Sequence, residues 1–131
     1  MIVVDASVLA NVIADDGTGG RRARREVRSA GEMSAPDLVD VETLAVLRKR
    51  WRAGTISERR LATALDDLDA IELDRYPTLP LVRRGFDLRA NVTAYDAMYV
   101  ALAEALRCEL LTGDRRLAAA PGPRCAIRLL Q

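Results

Sequence analysis

The chain has 131 residues, of which 50% are hydrophobic and 30% are charged, and it carries a formal net charge of +1. Because domains cluster near roughly 100–150 residues, we expect one domain over residues 1–131, and the composition excludes disordered and collagen-like chains. The near-neutral balance also excludes a global positive field that would draw the protein to nucleic acid.

From the amino end, the apolar pattern predicts a strand, two helices, a second strand and two further helices. The predicted elements are strand Ile2–Val4, helix Ala6–Ala14, a glycine-rich break over 16–20, helix Arg21–Ala30, strand Met33–Ala35, a helix opened by Pro36 and running to about Arg52, and a helix from about Ser57. Gly54 separates the last two helices.

The second half of the chain continues this alternation. It carries a predicted strand Ala70–Leu73, a helix opened by Pro80 and running to about Arg89, helix Ala94–Leu106, strand Glu109–Thr112, helical turn Arg115–Ala120 and strand Cys125–Leu130. Strands that alternate with helices imply βαβ units, parallel pairing and right-handed crossovers. We therefore predict a three-layer α/β domain with a central, mostly parallel sheet of about five strands flanked by helices.

Two aspartates follow strands of this sheet. Asp5 comes directly after the first strand, and Asp114 follows the strand Glu109–Thr112. Ligands of open parallel sheets bind outside the carboxyl ends of the strands, so both side chains belong to the edge where a ligand would bind. If the two strands are neighbours, the carboxylates face each other. Each aspartate would also serve as the N-cap of the following helix, and the sequence leaves both roles open.

Two further acids lie on helix faces turned toward the sheet. Helical spacing places Glu42 at the edge of the apolar face of its helix, where an unpaired carboxylate is costly. Asp96 shares a face with Tyr99 and Val100, which is the face expected to meet the sheet. Thr93 and Asp96 also resemble a capping box, a role that does not exclude ligand binding.

The chain contains no histidine, which removes the commonest general base and the usual zinc ligand. Cys108 and Cys125 stand alone rather than in paired motifs and are expected to be small core residues. Hydrolytic chemistry would therefore depend on carboxylates. Four acids drawn together would repel one another without a cation, and ligation by oxygen alone suits Mg²⁺ or Mn²⁺, which activates water for attack on phosphorus in nucleases.

Four short segments carry a family resemblance that covers essentially the whole chain. The segments Ile2-Val3-Val4-Asp5-Ala6-Ser7, Glu42 early in a helix, Tyr95-Asp96-Ala97 and Leu111-Thr112-Gly113-Asp114 resemble the PIN domains of VapC toxins. The resemblance implies a Mg²⁺- or Mn²⁺-dependent endoribonuclease that hydrolyses RNA phosphodiester bonds through metal-activated water. It implies that Asp5, Glu42, Asp96 and Asp114 form the acidic metal site, with Ser7 and Thr112 as supporting polar residues. It also implies a VapB-like antitoxin partner and a homodimer.

One departure from the family pattern follows the last aspartate. Some relatives carry another acidic residue there, whereas Arg115, Arg116 and Leu117 stand in this chain, and this leaves open whether one metal ion or two would bind.

Two basic clusters and one apolar stripe allow more than one interpretation. The clusters are Arg21, Arg22, Arg24, Arg25 and Arg28 on one predicted helix, and Arg48, Lys49, Arg50 and Arg52 at the end of another. Arginine forks suit phosphate, so at least one cluster is expected to contact RNA, but a solvated face explains the same pattern. The stripe Ile56, Leu61, Leu65 and Leu68 fits a partner interface and a core position equally well.

Other functions fit the sequence less well. A haloacid-dehalogenase-type phosphatase would carry Asp-x-Asp after the first strand, but Ser7 occupies the third position. A non-catalytic RNA- or protein-binding PIN module would not need all four acids. A PIN nuclease of RNA processing without an antitoxin is not separated from a toxin by sequence. Because no apolar run reaches the roughly 18–20 residues that span a bilayer, we expect a cytoplasmic protein with no membrane partner.

Overall fold

Five parallel strands form one sheet at the centre of the molecule, in the order β3-β2-β1-β4-β5. The structure is a computed structural model that describes residues 1–131. Its strands are β1 (Ile2–Val4), β2 (Met33–Pro36), β3 (Asp74–Tyr76), β4 (Glu109–Thr112) and β5 (Ile127–Leu129).

Seven α-helices and one 3₁₀ turn connect and flank the strands. They are α1 (Ala6–Ala14), α2 (Thr18–Ala30), α3 (Val39–Arg52), α4 (Glu58–Ala70), the 3₁₀ turn Leu79–Leu81, α5 (Val82–Asp87), α6 (Ala94–Leu106) and α7 (Arg115–Ala119). None of these helices combines the length and the apolar character needed to cross a lipid bilayer.

The predicted α/β class and the five-stranded parallel sheet are confirmed, but the third strand was predicted at the wrong place. Helix α4 continues to Ala70, and β3 begins at Asp74. This strand lies at the sheet edge and two of its three residues are exposed, so it lacks the apolar run that marks a buried strand.

Several element ends also differ from the prediction. Pro36 ends β2 instead of opening a helix, and α3 begins three residues later, at Val39. The β5 strand is shorter than predicted, and α5 and α7 end at Asp87 and Ala119. Helix ends are the least determined part of such patterns, because capping and packing decide them.

The core lies on both faces of the sheet, because alternate residues of β1 point to opposite sides. Val3 belongs to the larger cluster, which includes most of the buried residues of α6, and Ile2 and Val4 belong to a smaller one with Val27 of α2. From β1 the chain continues to β2 and β3 on one side of β1, and it then crosses to β4 and β5 on the other side. This reversal makes the carboxyl ends of β1 and β4 the switch point where such sheets bind ligands.

The break predicted over residues 16–20 is shorter in the structure: Asp16 and Gly17 lie between the helices, and residues 18–20 already belong to α2. Helix α2 begins at Thr18 and includes Gly19 and Gly20. A Cβ added at Gly20 would lie 1.7 Å from the backbone oxygen of Asp15, so only glycine lets α2 approach the end of α1 so closely. Arg24 closes the same junction by donating hydrogen bonds of 3.0 Å to the carbonyl oxygens of Val12 and Asp15.

Replacing Gly20 with alanine should therefore destabilise the protein by roughly 2–4 kcal/mol, because the backbone of Asp15 must move to admit the methyl group. Urea denaturation would measure the free energy of unfolding. Gly19→Ala is the matched control, since its Cβ would meet only the Asp15 carboxylate oxygen, at 2.6 Å, and that side chain can rotate away. Equal stabilities of the two variants would contradict the steric explanation.

Candidate active site

Asp5 and Asp114 lie at the ends of neighbouring strands, as the sequence predicted. The β1 and β4 strands pair in parallel, with Val4 opposite Leu111, and the backbone N–H of Asp5 donates to the Leu111 carbonyl at 3.3 Å. Asp114 lies two residues beyond the end of β4. Both aspartates also cap helices: Asp5 accepts from the Val8 N–H, and Asp114 accepts from the Arg116 N–H at 2.8 Å. The capping role is therefore real for both, and it leaves other carboxylate lone pairs available.

The Asp5 carboxylate is buried, with 7% of its surface exposed, and is held by three donors. Its Oδ1 accepts from the Ser7 hydroxyl at 2.6 Å and from the Val8 N–H at 3.0 Å, and its Oδ2 accepts from the Thr112 hydroxyl. Burial raises the pKa of Asp5, although these hydrogen bonds oppose the rise. Since a carboxylate has about four acceptor positions, one on Oδ2 remains for a ligand.

Ser7 and Thr112 join the two strand ends. The Ser7 hydroxyl donates to Asp5 and accepts from the Gly113 N–H at 3.0 Å, while the Thr112 hydroxyl donates to Asp5 and accepts from the Asp114 N–H at 3.0 Å. Each hydroxyl therefore donates one hydrogen bond to the Asp5 carboxylate and accepts one from a backbone N–H just after β4. Together these bonds hold Asp5 against the end of β4. This arrangement gives both residues a supporting position beside the acids.

Glu42 lies in the first turn of α3 and reaches toward α6. Its Oε1 accepts a hydrogen bond of 2.6 Å from the hydroxyl of Tyr99, which is 1% exposed. Burial raises the pKa of Glu42, and the negative charges of Asp96 and Asp5 raise it further. Burial and the Glu42 hydrogen bond also raise the pKa of Tyr99, so its hydroxyl stays a donor.

Tyr99 lies on the helix face expected to meet the sheet, but its hydrogen bond to Glu42 was not predicted. Its position three residues after Asp96, on the same face of α6, is the signal that could have placed it beside the acids. Buried tyrosines usually find a hydrogen-bond partner, and here the partner comes from a different helix.

Asp96 lies in the first turn of α6, whose N-cap is Thr93. The Thr93 hydroxyl oxygen accepts from the Asp96 N–H at 3.2 Å, so half of the expected capping box is present. Burial raises the pKa of Asp96, and the charges of Asp114 and Asp5 add to the rise. Asp96 and Asp114 line one wall each of a cleft of about 260 Å³, together with Arg116.

The four acids interact as like charges without a basic neighbour that compensates them. Asp5, Glu42 and Asp96 have raised pKa values, and no lysine or arginine charge contributes to the shift of any of the three. At the same time, no three carboxylates are grouped so that they could hold a metal ion by themselves. These carboxylates therefore carry negative charge that no basic side chain of the protein offsets in their pKa shifts.

The basic clusters and the apolar stripe are divided between structural and exposed positions. Arg50 donates to Asn11 Oδ1 at 2.6 Å, and Arg24 bonds the end of α1. Leu68 of the stripe is buried, whereas Leu65 is exposed.

Cys108 and Cys125 are free thiols, half-buried against the edge of the core.

The chain is similar to known ribonucleases over nearly its full length. The family model described as "PIN domain" matches residues 2–123. Ribonuclease VapC1 of Mycobacterium tuberculosis is 43% identical over 130 residues, covering 98% of this chain and 97% of that protein. Ribonuclease VapC9 of the same organism is 40% identical over 133 residues, covering 99% and 98%.

Solved structures show the same fold at low sequence identity. VapBC2 from Rickettsia felis, bound to a DNA fragment from its promoter, gives a TM-score of 0.69 at 13% identity and covers 100% of both chains. VapC20 of M. tuberculosis, described as a toxin that cleaves the sarcin-ricin loop, gives a TM-score of 0.64 at 16% identity, covering 91% of this chain and 94% of that one.

Proposed function

We propose that this chain, which belongs to the PIN-domain family of VapC ribonucleases, is a divalent-metal-dependent endoribonuclease and the toxin of a type II toxin–antitoxin module. The observation that carries the proposal is the set of four acids at the switch point of the sheet: burial raises the pKa values of Asp5, Glu42 and Asp96, and the charges of neighbouring acids raise those of Glu42 and Asp96 further. Such an arrangement favours a bound cation.

The donor set fits Mg²⁺ or Mn²⁺. The free Oδ2 position of Asp5, with Asp96, Asp114 and Glu42, would hold the ion through oxygen atoms alone. Mg²⁺ retains several waters and binds substrate phosphate, so it does not need a complete protein cage. When bound, such a cation lowers the pKa of a water molecule and neutralises the charge that develops on phosphorus.

Other side chains would position these acids, one of which would accept the proton from the attacking water. Ser7 and Thr112 hold Asp5 in one orientation, which fixes the lone pair that faces the ligand. Tyr99 holds Oε1 of Glu42, so Oε2 is the oxygen available to accept a proton from the attacking water. The raised pKa of Glu42 suits this role at neutral pH. The chain lacks histidine, so no imidazole competes for it.

The proposed partners are an RNA substrate, a VapB-like antitoxin and a second copy of the chain, with the activity in the cytoplasm. A negatively charged rim would attract a basic antitoxin segment, which would supply the positive charge that the rim lacks. The two similar proteins from M. tuberculosis are named as ribonucleases, and the R. felis structure is a VapBC assembly. A PIN nuclease of RNA processing without an antitoxin remains the second proposal, because the four acids serve both functions equally.

A cleavage assay with the neighbouring gene product separates the two proposals. The purified chain is incubated with total RNA and Mg²⁺ or Mn²⁺, with and without the product of the adjacent open reading frame. We expect cleavage by the chain alone and suppression when the product is present at an equimolar amount. The RNA-processing function would be favoured if the adjacent gene product binds the chain without inhibiting cleavage. It would also be favoured if no adjacent gene encodes a protein that binds the chain. No cleavage in either metal would overturn both.

A further inference from the structure

One cationic side chain lies in the acidic cleft itself. Arg116 lines the cleft of about 260 Å³ that Asp96 and Asp114 also line. The backbone N–H of Arg116 donates to Oδ1 of Asp114 at 2.8 Å, which fixes the residue in the first turn of α7, directly beyond the end of β4. In the sequence, this arginine stands out only because some relatives carry an acidic residue shortly after the last aspartate.

The guanidinium of Arg116 has no partner within the protein. None of the salt bridges involves Arg116, and its side chain makes no hydrogen bond. The charges that act on Asp96 come from Asp114 and Asp5, so Arg116 does not neutralise that carboxylate. The side chain is exposed and its five N–H donors are available to a ligand.

The other arginine-rich segments do not line this cleft. In α3, Arg48 follows Glu42 by six residues, which is roughly 9 Å along the helix axis, and the other basic residues of that cluster lie beyond it. The carboxyl end of α2 lies near the start of β1, because the amino terminus of Met1 donates to the Ala30 carbonyl at 2.9 Å. That is the edge of the sheet opposite to Asp5. Neither cluster contributes a residue to the cleft, and Arg24 and Arg50 already bond to the protein.

We propose that Arg116 binds a backbone phosphate of single-stranded RNA next to the bond that the carboxylates cleave. The inference rests on the proposed function and adds a substrate-positioning residue to it. A polyanion approaching Asp96 and Asp114 is repelled, and a forked cation in the cleft that these two acids line provides a local attraction. Because this contact is to the RNA backbone, it contributes to affinity for every sequence and does not select one.

The test compares Arg116→Ala and Arg116→Lys with Arg115→Ala. Arg115 is the matched control, since it has the same charge, is exposed and is adjacent in α7, but does not line the cleft. Steady-state cleavage of a single-stranded RNA oligonucleotide should show a KM raised roughly tenfold in Arg116→Ala, with kcat changed less than about threefold. Arg116→Lys should recover part of the loss, because it restores the charge without the fork. Arg115→Ala should stay within about twofold of the wild type.

A binding measurement keeps this test separate from the test of the ribonuclease activity. Fluorescence anisotropy with the same oligonucleotide, in an Asp96→Asn background that does not cleave, should give the same order of affinities. The slope of log Kd against log salt should fall by roughly 0.7 in Arg116→Ala, as expected for one lost phosphate contact to a single strand. If the wild type cleaves no RNA but the affinities follow this order, the activity fails and the phosphate contact stands. Equal effects of the Arg115 and Arg116 substitutions on KM and on Kd would overturn the proposal.

Discussion

Replacing Asp96 with asparagine should lower the rate of RNA cleavage by about 10²- to 10³-fold or more while the protein remains folded. The substitution keeps the size of the side chain but removes a negative charge and an anionic oxygen from the cleft. The N-cap of α6 does not depend on that charge, because Thr93 supplies the capping oxygen. Single-turnover cleavage with saturating Mn²⁺ would measure the loss.

The stability of the same variant distinguishes a ligand from a cap. The charges of Asp114 and Asp5 disfavour the ionised form of Asp96, so asparagine should raise the melting temperature of the metal-free protein at neutral pH. Asp66→Asn is the control: Asp66 is exposed on α4, so its loss should change neither cleavage nor melting by a measurable amount. A folded Asp96→Asn protein that cuts at the wild-type rate would show that Asp96 acts as a helix-start residue alone.

The sheet edge that carries the acids could be predicted because local signals specify it. Asp5 and Asp114 follow short apolar strands, and parallel strands of an α/β sheet end at one edge. Glu42 and Asp96 interrupt apolar helix faces, which marks them as polar groups near the core. The catalytic role of the four acids stays a prediction.

The contacts between helices could not be predicted, because they depend on packing between segments far apart in sequence. Tyr99 meets Glu42 across 57 positions of the chain. The start of α2 was missed for a related reason: Gly19 and Gly20 indicate a break when only local propensity is considered, but the close approach of α2 to the backbone of Asp15 requires glycine inside the helix. The edge strand β3 carries little apolar character, and the strand was therefore predicted at the more apolar residues 70–73.

Arg116 illustrates a different limit. In the sequence, an arginine that follows an aspartate indicates only a polar surface. The larger arginine clusters on α2 and α3 were the ones expected to contact RNA. The structure distinguishes these residues by whether they line the cleft and by the partners they already have. Arg24 and Arg50 already bond to the protein, whereas the Arg116 side chain has no such bond. A count of charges could not have made this distinction.

Removing divalent metal should abolish RNA cleavage, and it should make the stability of the protein fall as pH rises. Burial raises the folded-state pKa values of Asp5 and Asp96 from 3.8 and of Glu42 from 4.5, and the charges of neighbouring acids add to the rise for Asp96 and Glu42. Above those ordinary values the metal-free folded state therefore binds more protons than the unfolded state. The free energy of unfolding then decreases as pH rises through this interval, and the three acids destabilise the metal-free protein at about pH 7.

Metal binding should reverse this dependence, because the ligands must be deprotonated to bind. At about pH 7, Mn²⁺ at about 100 times its Kd should raise the melting temperature by roughly 5–10 °C, and the increase should shrink as pH falls through the raised pKa values, because protons then compete with the metal for these acids. Differential scanning fluorimetry in chelator and in Mn²⁺ across this range would measure both curves, with Asp96→Asn as the variant whose metal response is diminished. Cleavage that persists in excess chelator, or a metal response that is equally large in Asp96→Asn, would contradict a metal site built on these carboxylates.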